Sequence, residues 1–311
     1  MRIATLVVTG AVLSLAPCSA TAGRGAESLT LDEARALVSE KINSIESVYF
    51  EYTRQFDDGP TQRCQFAREG AKWRYVELRG DDAEEIQQVS CCDGMFMFLF
   101  SIERKDTGEE KWGGVQIHDP KAIETTTPEC LVGRVHNLQR SIPDILALPG
   151  ATLDSQVGKD LQITVHDVLS SSEKNKTKYD VRLIFDQSHG MAMRETLVTE
   201  SPKTVTWPGW KAQWNVLSYK YVMDEKSKTP RWCPVEGLLT QGAGLPGRLE
   251  KPPKMKIVIS EICLNRELAP SLFRPDFPKA VAFHDVTSSG DGQSVIPGNK
   301  PRPRAVKPND R

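Results

Sequence analysis

Residues 89–102 carry the strongest constraint on how this chain can fold, because a turn signal lies between two strand-forming arms. The dipeptide Asp93-Gly94 favours a two-residue type I′ turn, whose central residues both need positive φ. The arm after the turn is apolar on both faces of its pleat. Its alternating sets are Met95, Met97 and Leu99 on one face and Phe96, Phe98 and Phe100 on the other. We therefore predict a hairpin whose second strand is covered on both sides, by a helix on one and by a second layer, a partner or a bound apolar molecule on the other.

Strand-like segments run through most of the chain and alternate with short polar linkers. In the first half they are 48–56, 63–68, 72–78, 86–92, 95–102 and 114–118, and in the second half 161–167, 179–185, 191–199, 214–223, 231–239 and 255–264. Linkers such as Glu69-Gly70 are too short for crossover helices. Neighbouring strands should therefore run antiparallel, and the expected fold class is mainly β (α+β).

Two segments have helical patterns instead. Residues 30–43 begin with Thr30 and have Glu33 three positions later, the spacing of a capping box, and their apolar residues fall on one face. Residues 141–148 begin with a serine that can cap a helix and end at Pro149-Gly150. We expect one long N-terminal helix and one short amphipathic helix between two series of strands.

The two ends of the chain differ in composition from the part between them. Residues 1–22 resemble a secretory signal, with an early arginine, an apolar core and a small-residue cleavage site. An alternative is a lipoprotein signal that ends at Cys18. Residues 287–311 are rich in Gly, Ser, Pro and basic side chains and are expected to be a disordered basic tail. The prediction is one exported, soluble domain at 27–286 with no membrane-spanning segment.

The mature chain would keep six cysteines, an even number that favours disulfides in an exported protein. They are Cys64, Cys91, Cys92, Cys130, Cys233 and Cys263. If the flanks of the Gly/Pro-rich loop 242–253 form a hairpin, Cys233 and Cys263 are equidistant from its midpoint and should face each other. The partners of the other four stay open. No Cys-x-x-Cys or paired Cys/His spacing suggests zinc, so we expect no metal and no cofactor.

The order of these elements resembles that of the periplasmic lipoprotein-carrier family, the LolA-like half-barrels. Segments 45–52, 68–74 and 89–94 carry the resemblance. Segments 185–190 and 265–285 are similar to those of enlarged secreted relatives of unassigned role. The resemblance implies a strongly curved antiparallel sheet, an open half-barrel, with the long N-terminal helix and a short lid helix on its concave side.

The resemblance also assigns roles to particular positions. Arg68 matches an arginine that in the carrier holds the lid shut, although Glu69 replaces the proline that usually follows it. Residues 142–148 match part of the lid. In the family, the hollow beneath the lid holds acyl chains.

Candidate ligand-binding residues follow from this interpretation. Flexible thioethers and flat rings suit an apolar site that accepts ligands of varied shape. The candidates are Phe50, Tyr52, Trp73, Met95, Met97, Leu99, Ile142, Ile145 and Leu146, with Arg68 controlling the lid. Each of them could equally belong to a packed core.

Two further patterns have both a functional and a structural interpretation. Four tryptophans, Trp207, Trp210, Trp214 and Trp232, lie close together in the sequence and could stack on sugars or simply pack in the core. The dipeptide His-Asp recurs at 118–119, 166–167 and 284–285. Adjacent strand residues point to opposite faces, so these pairs are better explained as strand ends than as metal or acid-base sites.

The expected function is therefore non-catalytic, and no nucleophile motif or phosphate-binding loop suggests an enzyme. With 40 Lys and Arg against 41 Asp and Glu, the charge gives no case for nucleic acid. We expect an exported protein that binds a lipid, an acyl chain or a lipidated protein, with a cell-envelope protein as a further candidate partner. The alternative is a secreted module that binds a protein or glycan, with a filled core and no lipid cargo.

Overall fold

The structure is a computed structural model that describes residues 29–79, 86–105, 107–118, 133–135, 138, 140–157, 159–169, 177–201, 210–243, 253–286 and 293–295. The predicted signal at 1–22, Cys130 and most of the predicted tail lie outside these residues. Within the tail, residues 293–295 form a short strand. The described part of the chain contains two α-helices, α1 (Leu31–Asn43) and α2 (Ile142–Leu146), and two short 3₁₀ turns.

Strands make up most of the described residues, so the predicted mainly β class is confirmed. They are β1 (Ser47–Phe56), β2 (Thr61–Glu69), β3 (Lys72–Arg79), β4 (Ile86–Cys92), β5 (Met97–Arg104), β6 (Glu110–Trp112), β7 (Val115–His118), β8 (Ala151–Val157), β9 (Asp160–Leu169), β10 (Lys178–Asp186), β11 (Ala192–Glu200), β12 (Trp210–Met223), β13 (Pro230–Ala243), β14 (Lys254–Leu264), β15 (Phe283–Asp285) and β16 (Gln293–Val295).

All strands belong to one open sheet built from two meanders. Along the sheet the order is β16, β15, β7, β5, β4, β3, β2, β1, β14, β13, β12, β11, β10, β9 and β8, with β6 beside β5. The pairing of β1 with β14 joins the two meanders. Neighbours are antiparallel, as predicted, except that β15 runs parallel to β7. The sheet is not closed, because β8 and β16 are its two ends.

Both helices begin at the capping residues that the sequence indicates. The Thr30 side chain accepts a hydrogen bond from the Glu33 N–H, and the Glu33 carboxylate accepts one from the Thr30 N–H, which completes the capping box. The Ser141 hydroxyl accepts a hydrogen bond from the Asp144 N–H at the start of α2. Each cap satisfies backbone donors that the first helical turn leaves open.

The face of the sheet that packs against α1, here called the inner face, carries two core clusters. The first joins α1 and α2 to strands β8–β11. It includes Ala34, Val38, Ile145, Leu146, Leu161 and Leu183. The second covers the inner face of β1–β3 and β12–β14 and includes Phe50, Tyr52, Phe66, Tyr75, Trp214 and Ile257. α1 therefore covers one half of the sheet directly, and the other half is filled by its own side chains.

The opposite, outer face is covered by the chain after β14. Phe277 lies 5.6 Å from Phe98 and 5.2 Å from Phe100 between ring centroids. Farther along the sheet, Phe273 packs in a small cluster with Ala67. The second apolar face of β5 is thus covered by a layer that the chain itself supplies.

The predicted two-residue turn at Asp93-Gly94 is wrong. Cys92 pairs with Met97, so four residues connect the strands. The Asp93 carboxylate accepts hydrogen bonds from the N–H groups of Met95 and Phe96, both at 2.9 Å, and only Gly94 in this turn has positive φ. The aspartate side chain stabilises a wider turn in this way.

The predicted disulfide between Cys233 and Cys263 is not formed, and both thiols are free. The β13–β14 ladder ends where Glu236 pairs with Val258, and its register, if continued, would place Cys233 opposite Glu261. Cys233 instead lies opposite Lys220 on β12, and Cys263 lies opposite Tyr49 on β1. The other described cysteines, Cys64, Cys91 and Cys92, are also free.

A candidate apolar ligand site

A cavity of about 60 Å³ lies where the two inner clusters meet, beside the C-terminal end of α1. Its walls are mostly apolar and come from both meanders. They include Ile42, Ile45, Phe185, Met193, Ile262 and Leu264. The cavity is therefore bounded by the end of α1, the β10–β11 turn and the inner face of β13 and β14.

Residues 133–135, which precede α2 in the chain, close the cavity against α1. Gly133 has φ 72°, and a β-carbon there would stand 2.4 Å from Ile42 Cγ2. The Gly133 carbonyl accepts the Ile142 N–H at 2.8 Å, which ties these residues to α2. We call α1, residues 133–135 and α2 the roof of the cavity. Only a glycine at position 133 lets the parts of the roof approach this closely.

The predicted lid residues lie in the roof. Ile142 lines the cavity, as does Arg68 on β2. Ile145 and Leu146 are buried in the first cluster beneath α1 and do not line the cavity. Of the predicted lid and ligand-binding residues, Ile142 and Arg68 thus line the cavity.

Most other predicted ligand-binding residues share the inner face. Along one row of the ladder, Phe50 lies opposite Phe66, which lies opposite Tyr75, and the row continues through Ser90 to Leu99. A neighbouring row contains Arg68, Trp73, Cys92 and Met97.

Packing fills this part of the inner face. Phe50, Tyr52 and Met97 are at most 1% exposed, and Trp73 and Leu99 are half-buried. None of the five lines the cavity. Met95 belongs to the wider turn and is 54% exposed, so its predicted place on the same face as Met97 is wrong.

Lys41 brings a positive charge into this apolar wall. Its ammonium donates hydrogen bonds to the carbonyl oxygens of Gly190 at 2.7 Å and His189 at 3.4 Å. Burial lowers the pKa of Lys41 to about 8, the nearby Cys233 opposes that shift and the positive Arg231 adds to it. The amine therefore changes its charge close to neutral pH.

Arg68 is the second charged residue of the cavity wall. Burial lowers its pKa, and the positive charge of Arg134 lowers it further. Among the described residues, those that line the cavity include these two cations and no carboxylate. The described part of the site thus combines an apolar wall with two positively charged side chains.

The thiol of Cys233 also lines the cavity. Burial raises its pKa to about 11, an effect that the Lys41 and Arg231 charges oppose. The thiol is therefore protonated at neutral pH and is a poor nucleophile.

Aromatic rings line the approach to the cavity beside Lys41. The Trp232 ring contacts His189 edge-on at 4.6 Å between centroids, and His189 stacks on Tyr219 at 4.5 Å. Trp214, from the same predicted tryptophan group, is instead buried at 3% exposure. Trp207 and the side chain of Trp210 lie outside the described residues.

A buried polar cluster on the inner face was missed by the sequence interpretation. Arg54 Nη2 lies 2.8 Å from a Glu77 carboxylate oxygen, and Gln62 bonds to both residues. The Tyr75 hydroxyl contacts Glu77 at 3.4 Å and the Cys64 sulfur at 3.5 Å. Arg54 has the same strand parity as Phe50 and Tyr52, which is the signal that could have placed it inside.

One of the His-Asp dipeptides, at 166–167, shows where its histidine points, and Asp119 of another lies outside the described residues. His166 Nδ1 lies 3.2 Å from Asp180 on the neighbouring strand. In the part of the chain that the structure describes, no three His, Cys, Asp or Glu side chains come together in a way that could hold a metal ion. Among the same residues, neither helix has the length and apolar composition to span a membrane.

No protein-family model and no curated protein matches the sequence. Among solved structures, the chain is similar to a DUF1329 family protein from Desulfovibrio piger, at 8% identity and a TM-score of 0.43, over 79% of this chain and 97% of the other. It is also similar to a LolA superfamily protein from Nitrosomonas europaea, at 10% identity and a TM-score of 0.41, over 77% of this chain and 96% of the other. The superfamily named from the sequence resemblance is thus found among the similar structures.

Proposed function

We propose that this protein binds a single-chain lipid or another acyl group by apolar burial beneath the roof, and that it is an exported, non-catalytic carrier. The observation that carries the proposal is the apolar cavity between α1 and the inner face, lined by residues of both core clusters. Removing apolar surface from water contributes roughly 25 cal/mol per Å². An acyl chain therefore gains affinity there without any reactive group.

The cavity has to widen to hold such a chain. It measures about 60 Å³, whereas ligand pockets usually enclose roughly 300–1,000 Å³. The roof is the part that can move, because the sheet below it is held by continuous backbone ladders. The described conformation then corresponds to a closed roof.

Two side chains of α1 donate hydrogen bonds to neighbouring segments. The Arg35 guanidinium donates to the Leu148 carbonyl at 3.2 Å, and the Lys41 ammonium donates to Gly190. Beneath them, Ala34 and Val38 are at most 1% exposed. Opening exposes these apolar side chains, and an acyl chain in the widened space would replace the contacts they lose.

Arg68 is proposed to bias this movement. Its side chain lines the same cavity as Ile42 and Gly133 of the roof. A buried guanidinium favours polar partners over open apolar space, so its preferred contacts in the closed state oppose opening. This role follows the position assigned to Arg68 by the family resemblance.

The proposal is tested by ligand binding with a filled cavity. Ala192 lines the cavity and is 2% exposed, so Ala192→Leu should occupy the space and weaken dodecanoate binding in calorimetry by at least about tenfold. Ala212, also 2% exposed but outside the cavity, supplies the matched control Ala212→Leu. Native mass spectrometry of freshly purified wild-type protein should show bound lipid. Equal binding by both variants, or no binding by the wild type, would contradict the proposal.

A second candidate function is the secreted interaction module with a filled core. It is favoured by the complete burial of Phe50, Tyr52 and Met97, because their side chains occupy much of the inner face. Under this function the purified protein has its bare mass in native mass spectrometry. Acyl ligands would then leave its thermal unfolding midpoint unchanged.

A further inference from the structure

We propose that the site selects amphiphiles with an anionic head group, a carboxylate or a phosphate, and that Lys41 and Arg68 bind this head while the cavity takes the chain. This inference rests on the proposed acyl binding and names the class of ligand. It would distinguish the protein from one that holds neutral lipids.

The first support is the sign of the charge around the cavity. Lys41 and Arg68 both line it, and no carboxylate does among the residues that the structure describes there. The nearby Asp224 is committed elsewhere, because it pairs with Arg231 at 2.8 Å and accepts hydrogen bonds from Asn265 and two backbone N–H groups. An incoming anion would therefore meet two cations and, in the described part of the wall, no carboxylate.

The second support is the hydrogen bonding of Lys41. An ammonium has three N–H donors, and two of them are directed to the carbonyls of Gly190 and His189. These carbonyls fix the position of the ammonium at the end of α1. The remaining donor is available for a head-group oxygen.

The third support is the free-energy cost of burying the positive charge of Lys41. Burial lowers the pKa of Lys41 to about 8, which shows that its surroundings disfavour the cation. An anionic oxygen at hydrogen-bond distance would offset that cost, since charge-assisted hydrogen bonds are the strong ones. A neutral hydroxyl would offset less of it, and an alkylammonium would increase it.

The apolar lining residues would contact the chain of the amphiphile. Ile42 and Ile45 follow Lys41 along the chain, and Phe185, Ile262 and Leu264 complete the wall. A bound amphiphile would thus have its head between Lys41 and Arg68 and its tail directed toward the first and second core clusters.

The test compares four ligands with the same chain length by isothermal titration calorimetry at neutral pH: dodecanoate, dodecyl phosphate, dodecanol and dodecylamine. We expect the two anions to bind at least about tenfold more tightly than dodecanol, and the amine most weakly. Lys41→Met and Arg68→Met keep the aliphatic stems and should each reduce this preference while dodecanol binding stays within about twofold. Lys178→Met, which removes a charge outside the cavity wall, should leave the preference unchanged.

The outcomes separate the two proposals. Equal affinity for the anions and dodecanol would overturn the head-group inference and leave acyl binding intact. Loss of all binding in Lys41→Met, dodecanol included, would also overturn it, because the residue would then act on the fold. If none of the four ligands binds the wild type, the proposed function itself fails.

Discussion

The α-carbon of Gly133 approaches α1 so closely that a β-carbon on it would stand 2.4 Å from Ile42 Cγ2 and 3.5 Å from Ile42 Cβ. Position 133 has φ 72°, a region where side chains are strained. This contact joins α1 to residues 133–135, two parts of the roof, at the cavity wall. It is therefore the point where a small change should act on roof closure.

Gly133→Ala should loosen the roof. The added methyl group both strains the backbone and displaces Ile42, so we expect the free energy of unfolding to fall by about 2–4 kcal/mol. The comparison is Gly190→Ala, where φ is 59° but no atom lies within 4 Å of the added carbon. That variant should lose only about 1–2 kcal/mol. Urea unfolding measures the loss in both variants. Equal losses would show that the contact with Ile42 does not contribute to the effect of Gly133→Ala.

Removing one partner of the buried ion pair of Arg54 and Glu77 should lower the stability of the fold, because the other charge would stay buried without its counter-ion. Glu77→Leu leaves the Arg54 guanidinium buried without its carboxylate, so we expect a loss of about 3–5 kcal/mol in the free energy of unfolding. The double variant Arg54→Met/Glu77→Leu should recover a large part of this loss, because it removes both charges. A double variant that is no more stable than Glu77→Leu in urea unfolding would contradict this account.

Binding of a fatty carboxylate should weaken as the pH rises through about 8, the pKa of Lys41. Lys41 is charged below that pH and neutral above it, while a carboxylic acid with a pKa of about 4–5 stays ionised throughout. The affinity for dodecanoate should therefore begin to fall near pH 8 and continue to fall toward the higher pKa that Lys41 has beside the bound anion. Lys41→Arg keeps its charge over this range and should give a flat profile. A decline of the same size in Lys41→Arg would assign the pH dependence to another group.

The same pKa predicts how the empty protein responds to pH. The folded-state pKa of Lys41, about 8, lies below the unfolded value of about 10.4, so between these values the unfolded chain binds more protons. The free energy of unfolding should then rise with pH in this window, relative to Lys41→Met. Three groups act on Lys41 directly, namely Arg231, Cys233 and the backbone of His189. The other charged groups nearby are Asp186, which bonds to His189, Asp224, which pairs with Arg231, and Arg68, which lines the same cavity.

Strand alternation was enough to predict the inner face but not the cavity. Phe50 and Tyr52, named from the sequence as ligand-binding or core residues, share their strand parity with Arg54, and applying that rule to Arg54 would have placed it on the same face. The cavity forms where α1, Gly133 and the β10–β11 turn meet. These segments are far apart in the sequence, so local sequence patterns cannot predict their contacts.

The errors have local physical causes. Met95 was placed on a strand because the dipeptide Asp93-Gly94 suggested a two-residue turn. The Asp93 carboxylate instead accepts hydrogen bonds from two N–H groups, which widens the turn to include Met95. The Cys233 and Cys263 pairing assumed one continuous hairpin, whereas the β13–β14 ladder ends at Glu236 and β14 has a register shift against β1 near Tyr52. β15 pairs in parallel with β7, which lies far away in the sequence, and short-range patterns cannot indicate such a pairing.

The central claim, that acyl ligands enter beneath the roof, is tested most directly by locking the roof. The 3.5 Å between Ile42 Cβ and a β-carbon at Gly133 lies at the lower end of the roughly 3.5–4.5 Å found in disulfides, so Ile42→Cys/Gly133→Cys should form a cross-link. The measurement is dodecanoate titration of this double variant, oxidised and then reduced, with each single variant as control. We predict binding when it is reduced and at least about tenfold weaker binding when it is oxidised. Equal binding in both states, or no binding in either the reduced variant or the wild type, would contradict the account.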